Sequence, residues 1–265
     1  MARPVAEGPD DGTPPLLTRD GHGGATLTLN RPRHLNRLHR EDLLALQQHI
    51  KVLAADDSLR VVVLTGTGRA FCAGFNLQEL AEADAGSADP RLFEHTVDAL
   101  EQLPVPTIAR LNGGVFGGAT DLALACDFRV GVQGMELRMP AARLGLHYYA
   151  SGLSRYVSRL GLSAAKRLFL LAETLPADEL LRIGYLDVLV PPDQLDTAVE
   201  SIATPLRGNA PLALRGMKCS LNELAHGQAD DDRLRQREDR CAQSADLQEG
   251  LAALAQKRPA RFSGR

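Results

Sequence analysis

Two ten-residue stretches govern the reading of this chain: Gly68-Arg69-Ala70-Phe71-Cys72-Ala73-Gly74-Phe75-Asn76-Leu77 and Asn112-Gly113-Gly114-Val115-Phe116-Gly117-Gly118-Ala119-Thr120-Asp121. Each follows an apolar run, Val61 to Leu64 and Pro106 to Leu111, whose lack of polar alternation suits a strand buried on both faces. Each leads on into a helix. Small residues in such a turn let the backbone approach a ligand, and N–H groups at a helix start carry partial positive charge outward. Taken singly, either turn needs no more than tight chain reversal and close helix packing. Together, two such donors converging on one carbonyl oxygen make an oxyanion hole.

Outward from these turns the pattern is α/β. Ala25 to Leu29 reads as a strand broken by Asn30, Arg31 and Pro32. Leu43, Leu44, Leu46, Ile50 and Leu53 then recur at three- and four-residue steps, which predicts a helix from Arg40 to Ala55. Downstream, Asp121 to Cys126 reads as a short helix, Asp127 to Gly131 and Glu136 to Met139 as strands, with Pro140 closing the second. Ser163 opens a helix carrying Leu168, Leu170 and Leu171, Pro176 begins another, Gly184 suits a left-handed cap, and Leu186 to Leu189 is a further strand. From Pro211 to the end the pattern is helical and Arg-rich. The expected organisation is a disordered tail over 1–20, rich in proline and acid, a core over 21–210 and a helical region over 211–265.

Composition narrows the function. In 265 residues, 30 Lys and Arg against 33 Asp and Glu give a net charge of −3, too balanced for a phosphate-backbone footprint. With no Trp and 4% aromatics, stacking platforms for single strands are also not expected, so nucleic acid is not the predicted partner. Cys72, Cys126, Cys219 and Cys241 show no paired spacing, no apolar run is long enough to span a membrane, and the start lacks a secretory pattern; a cytoplasmic protein is expected. Gly66-Thr67-Gly68 fails as a dinucleotide fingerprint because Phe71 stands where the third glycine belongs. P-loop, nucleophile-elbow and zincin motifs are absent, and no metal cage is suggested. His34 and His39 read as surface residues, and Cys72 as a packing residue.

With Pro32-Arg33-His34-Leu35-Asn36-Arg37-Leu38 before them and Pro140-Ala141-Ala142-Arg143-Leu144-Gly145-Leu146 after, the two turns complete four motifs in one order. The chain thereby resembles the crotonase, or enoyl-CoA hydratase/isomerase, superfamily over roughly residues 21 to 265, closing on Lys257-Arg258-Pro259-Ala260-Arg261-Phe262. The resemblance implies a spiral of ββα turns with two near-perpendicular sheets, a C-terminal helical trimerisation region, a homotrimer or hexamer, and an acyl-CoA thioester substrate with no other cofactor.

It also implies roles. The N–H groups of Phe75 and Gly118 would hold the thioester oxygen, and Asp121 falls on the first of two family glutamates. Ala141 falls on the second, so one acid is shortened and the other missing. The stretch Gly145-Leu146-His147-Tyr148-Tyr149-Ala150-Ser151-Gly152 borders the acyl pocket, where His147, Tyr148 or Tyr149 is a candidate replacement and Tyr149 also a substrate contact. Asn76, Leu77 and Gln78 lie in the substrate-contacting turn, Asn76 replacing an aspartate but keeping helix-capping ability. Arg33, Arg37 and Lys257 would grip the coenzyme A phosphates, Lys257 from a neighbouring subunit. Hydration or isomerisation of an enoyl-CoA is the leading expectation. Tyr148 aligns with a tyrosine of malonyl-type decarboxylases, which gives a second, and a catalytically silent acyl-CoA binder is a third.

Overall fold

The computed structural model describes residues 12–82, 89 and 91–265. Its strands are β1 (Thr13–Arg19), β2 (Gly24–Asn30), β3 (Val61–Gly66), β4 (Ala70–Cys72), β5 (Thr107–Leu111), β6 (Gly114–Phe116), β7 (Phe128–Val132), β8 (Glu136–Arg138), β9 (Thr174–Pro176) and β10 (Val188–Val190). They form two sheets, one ordered β1-β2-β3-β5-β7-β10 and one ordered β4-β6-β8-β9. The chain gives strands to the two sheets in turn. β3 hands on to β4, β5 to β6 and β7 to β8, and each pair then exits into helix, so a ββα unit repeats as a spiral.

The helices are α1 (Arg40–Ala54), α2 (Leu77–Glu82), α3 (Leu92–Glu101), α4 (Ala119–Leu124), α5 (Ala150–Leu170), α6 (Ala177–Arg182), α7 (Leu195–Gly208), α8 (Pro211–Ala225), α9 (Asp231–Ala242) and α10 (Ala245–Ala255). Leu27, Val62, Ile108 and Val130 of the first sheet and Phe71, Val115, Leu137 and Leu175 of the second belong to one continuous buried cluster. Burying each such side chain is worth about 1.5–3 kcal/mol, which ties the two sheets into one body. Among the described residues, no helix is long and apolar enough to cross a membrane.

Several expectations are corrected. Thr13–Arg19, assigned to the disordered tail over 1–20, pairs antiparallel with β2; residues 1–11 lie outside those described. β1 is an edge strand, and its register breaks between Thr13 and Leu16, where Pro14 and Pro15 cost the sheet no ladder bond. The helix expected from Ser163 is present as the second half of α5; Gly161, whose φ of 79° leaves the helical region, separates it from an unexpected first half that begins at Ala150. It therefore absorbs Ser151 and Gly152 from the expected loop. The C-terminal region is helical only as far as Ala255, after which the chain to Arg265 is irregular.

Candidate active site

β4 and β6 are parallel neighbours, Ala70 facing Gly114 and Cys72 facing Val115, so the segments leaving them emerge side by side. Amide side chains hold the first of these turns. Buried Asn36 shares its Nδ2 hydrogens among the carbonyls of Thr67, Ala70 and Phe71 at 2.8, 3.0 and 3.1 Å, while its Oδ1 accepts from the Arg31 N–H. Asn112 Nδ2 donates to the Gly68 carbonyl at 2.8 Å. Cys72 donates Sγ–H to the Asn36 carbonyl, and burial pushes its thiol up to about 12, so it packs and does not attack.

Gly74, at φ 92°, brings the two turns together. A Cβ there would stand 2.7 Å from the Phe116 carbonyl oxygen and 3.3 Å from the Gly118 nitrogen, so no side chain fits. The Gly118 N–H is thereby set against the turn that carries Phe75. Leu38 clamps that turn: its N–H donates to the Gly74 carbonyl and its own carbonyl accepts from the Asn76 N–H, both at 2.8 Å. Among the described residues neither the Phe75 nor the Gly118 amide donates to another protein group. Asn76 caps α2 as expected, its Oδ1 accepting from the Gln78 N–H at 3.2 Å.

Asp121, in the first turn of α4, is fully buried. Its Oδ2 accepts from the Tyr149 hydroxyl at 2.5 Å and from Arg155 Nη1 at 2.8 Å, while Oδ1 has no partner among the described residues. Burial, against the pull of the Arg155 guanidinium and the Tyr149 hydroxyl, leaves its pKa above the usual aspartate value. Arg155, itself fully buried on α5, also reaches Asp98 and Glu101 of α3, at 2.8 and 3.0 Å. Glu101 takes Arg159 and His226 as further partners, each at 3.1 Å. Burial raises its pKa, but the guanidinium charges outweigh that and hold it below the usual glutamate value.

The remaining candidates divide. Tyr148 is buried, stacks on Tyr149 at 4.3 Å between ring centroids and donates its hydroxyl to Tyr149 at 3.2 Å, without contacting Asp121. His147 is exposed and its Nδ1 meets the Tyr148 carbonyl at 2.8 Å. Ala141 is buried. Leu77 and Gln78 are exposed beside the turn. Arg33 is exposed, Arg37 half-buried, and Lys257 exposed beyond α10; no contact joins Lys257 to either turn among the described residues.

Sequence reading missed Phe93, Asp98, Glu101 and Arg155. Phe93 lies 6.1 Å from the Phe75 ring and 6.2 Å from that of Tyr149, and the space beside Gly118 where a Cβ would stand is only 2.6 Å from its ring. The three rings make a wall from the Phe75 turn to Asp121. A 3.6-residue repeat through Leu92, Thr96, Val97 and Leu100 could have found α3, but nothing in it singles out Phe93. No group of three or more His, Cys, Asp or Glu among the described residues could hold a metal ion.

Comparison with known proteins agrees with this geometry. A family model described as Enoyl-CoA hydratase/isomerase matches residues 20–265. Crotonyl-CoA hydratase of Syntrophomonas wolfei is 31% identical over 249 residues, covering 90% of this chain and 94% of its own. The 1,2-epoxyphenylacetyl-CoA isomerase of Escherichia coli K12 is 30% identical over 258 residues, covering 94% and 98%. The crystal structure of an enoyl-CoA hydratase from Bacillus anthracis superposes with a TM-score of 0.84 at 30% identity, covering 96% of this chain and all of that one. Fold, paired glycine turns and these matches agree: the chain belongs to the enoyl-CoA hydratase/isomerase family.

Proposed function

We propose that this protein catalyses hydration or double-bond isomerisation of an enoyl-CoA thioester. The observation that carries the reading is the close approach at Gly74, which puts the Gly118 N–H beside the Phe75 turn, with Asp121 three residues further on. Proton removal next to a thioester, or addition of water across its conjugated double bond, sends an electron pair to the carbonyl oxygen. The Phe75 and Gly118 amides receive that charge, each worth about 3 kcal/mol of barrier. Asp121 moves the proton. Its Oδ2 is held by two donors, while Oδ1, without a partner among the described residues, is the oxygen assigned to the proton. Coenzyme A enters as part of the substrate, gripped by Arg33, Arg37 and a neighbouring subunit's Lys257, and no cofactor takes part.

Decarboxylation through Tyr148 is less well supported, because that hydroxyl is buried and spent on Tyr149. Incubation with a panel of acyl-CoA thioesters, read by mass spectrometry and by enoyl absorbance, tests the assignment. Gain of water or loss of conjugation is expected; release of carbon dioxide, or binding without any change, overturns it. Asp121→Asn should then lower kcat at least 100-fold, in the range that a positioned acid or base supplies; unchanged turnover removes Asp121 from the mechanism.

A further inference from the structure

The family resemblance implies a second glutamate where this chain has a buried alanine, Ala141, so for hydration the second proton-handling group must come from elsewhere. His147 is exposed and turned to its own backbone, and Tyr148 reaches no further than the next hydroxyl. Tyr149 is different. It stands at the N-terminal boundary of α5, half-buried, with its ring on the Phe75 and Phe93 wall and its hydroxyl 2.5 Å from Asp121 Oδ2.

We propose that the Tyr149 hydroxyl is the second proton-handling group of this site, paired with Asp121, and that Arg155 is the residue that positions the pair. The inference rests on the enoyl-CoA reading above. In hydration, Asp121 Oδ1 takes a proton from water as the new C–O bond forms at C3, and the displaced electron pair moves to the thioester oxygen. The enolate collapses as the Tyr149 O–H bond breaks and its proton forms the new C2–H bond, leaving a phenolate. The Asp121 carboxyl group then turns so that Oδ1–H meets the phenolate and gives up its proton, and the carboxylate again accepts the Tyr149 hydrogen bond. One water is added and the enzyme is restored.

The pairing supplies its own timing. Burial and the adjacent Asp121 charge hold the Tyr149 proton tightly in the resting site. Once Asp121 carries a proton, that anionic neighbour is gone, while the Arg155 cation remains to favour the phenolate. Arg155 bridges Asp121 to Asp98 and Glu101, so the carboxylate is fixed by helix α3 as well as by α5. Gly152 is part of the same fit: a Cβ there would lie 2.8 Å from both Asp121 Oδ2 and the Tyr149 ring.

The test is Tyr149→Phe, which keeps the ring and removes the hydroxyl, assayed on whichever thioester the wild type turns over. We expect kcat to fall about 100-fold or more, with KM within about threefold since the aromatic wall survives. Loss of the hydroxyl's hydrogen bond to Asp121 should also move the acidic limb of kcat/KM to higher pH, a displacement that simple loosening would not produce. Tyr148→Phe should cost less than Tyr149→Phe. Arg155→Lys, which keeps the charge but not the fork, should lower kcat more than it changes KM and move the same limb upward. Should Tyr149→Phe not fold, difluorotyrosine at position 149 preserves the shape and lowers the phenol pKa, so the alkaline limb of kcat should move to lower pH. Retained kcat in Tyr149→Phe, a larger loss in Tyr148→Phe, or an unmoved limb overturns the pair and leaves the enoyl-CoA reading standing. A wild type that turns over none of the thioesters overturns that reading and the pair with it.

Discussion

Asp121 shows how much one side chain depends on its neighbours. It has no exposure, and its charge is matched by an arginine that answers to two other acids. The acidic limb of turnover should fall above pH 3.8, the ordinary aspartate value, because burial has raised this pKa; a limb below it in a kcat/KM profile would mean Asp121 is not the base. Gly152 offers a second measurement. Alanine is favoured over glycine inside a helix by about 1 kcal/mol, but here its methyl would press on Asp121 Oδ2 and two tyrosine rings, and overpacking costs about 1–3 kcal/mol. We expect Gly152→Ala to gain no stability in a denaturant titration and to lose at least tenfold in kcat. Phe75, Gly118 and Asp121 could be nominated from the sequence because the family resemblance carries its roles onto positions at fixed offsets from the two glycine turns. Arg155 could not be, since its partners lie 34 to 57 residues away and it sits on the helical segment before the Gly161 break, for which the sequence predicts no helix.

At the scale of elements, α3 serves both the aromatic wall and the charge network. Phe93 at its start meets Gly118, and Asp98 and Glu101 near its end meet Arg155. Glu101 is a depressed carboxylate, so its contribution to stability is complete above its ordinary value of 4.5 and is lost as pH falls through its lower folded value. Glu101→Gln should therefore melt well below the wild type at pH 7, and the two Tm values should converge as the pH falls below 4.5 and through the lower folded value. A gap that persists in acid would assign the loss to packing instead of charge. The short strands β4 and β6 were read as turns because three residues flanked by glycine carry no usable period. β1 was hidden by its prolines, which only an edge position tolerates, and position in a sheet is not written in local sequence.

At the scale of the molecule, α5 and the C-terminal helices leave large apolar side chains in solvent: Leu162, Leu170, Leu171, Leu221, Leu224 and Leu254 are each more than half exposed. Such surface suits the self-association expected from the family resemblance. Light scattering after size exclusion should give three or six times the 28.5 kDa of one chain; a monomer at micromolar concentration would contradict it. The repeated apolar run and glycine turn made the α/β rhythm legible, while the division into two sheets came only from the family resemblance, and the assembly depends on which helix faces stay uncovered. The same architecture hides two thiols, Cys72 on β4 of the smaller sheet and Cys126 between α4 and β7 of the larger, both pushed up to about 12 by burial. A neutral alkylating reagent must wait for each to surface, so the two rates act as separate clocks on the two halves. Equal rates would mean that the protein opens in one piece, and a faster Cys72 that the turn carrying Phe75 breathes by itself.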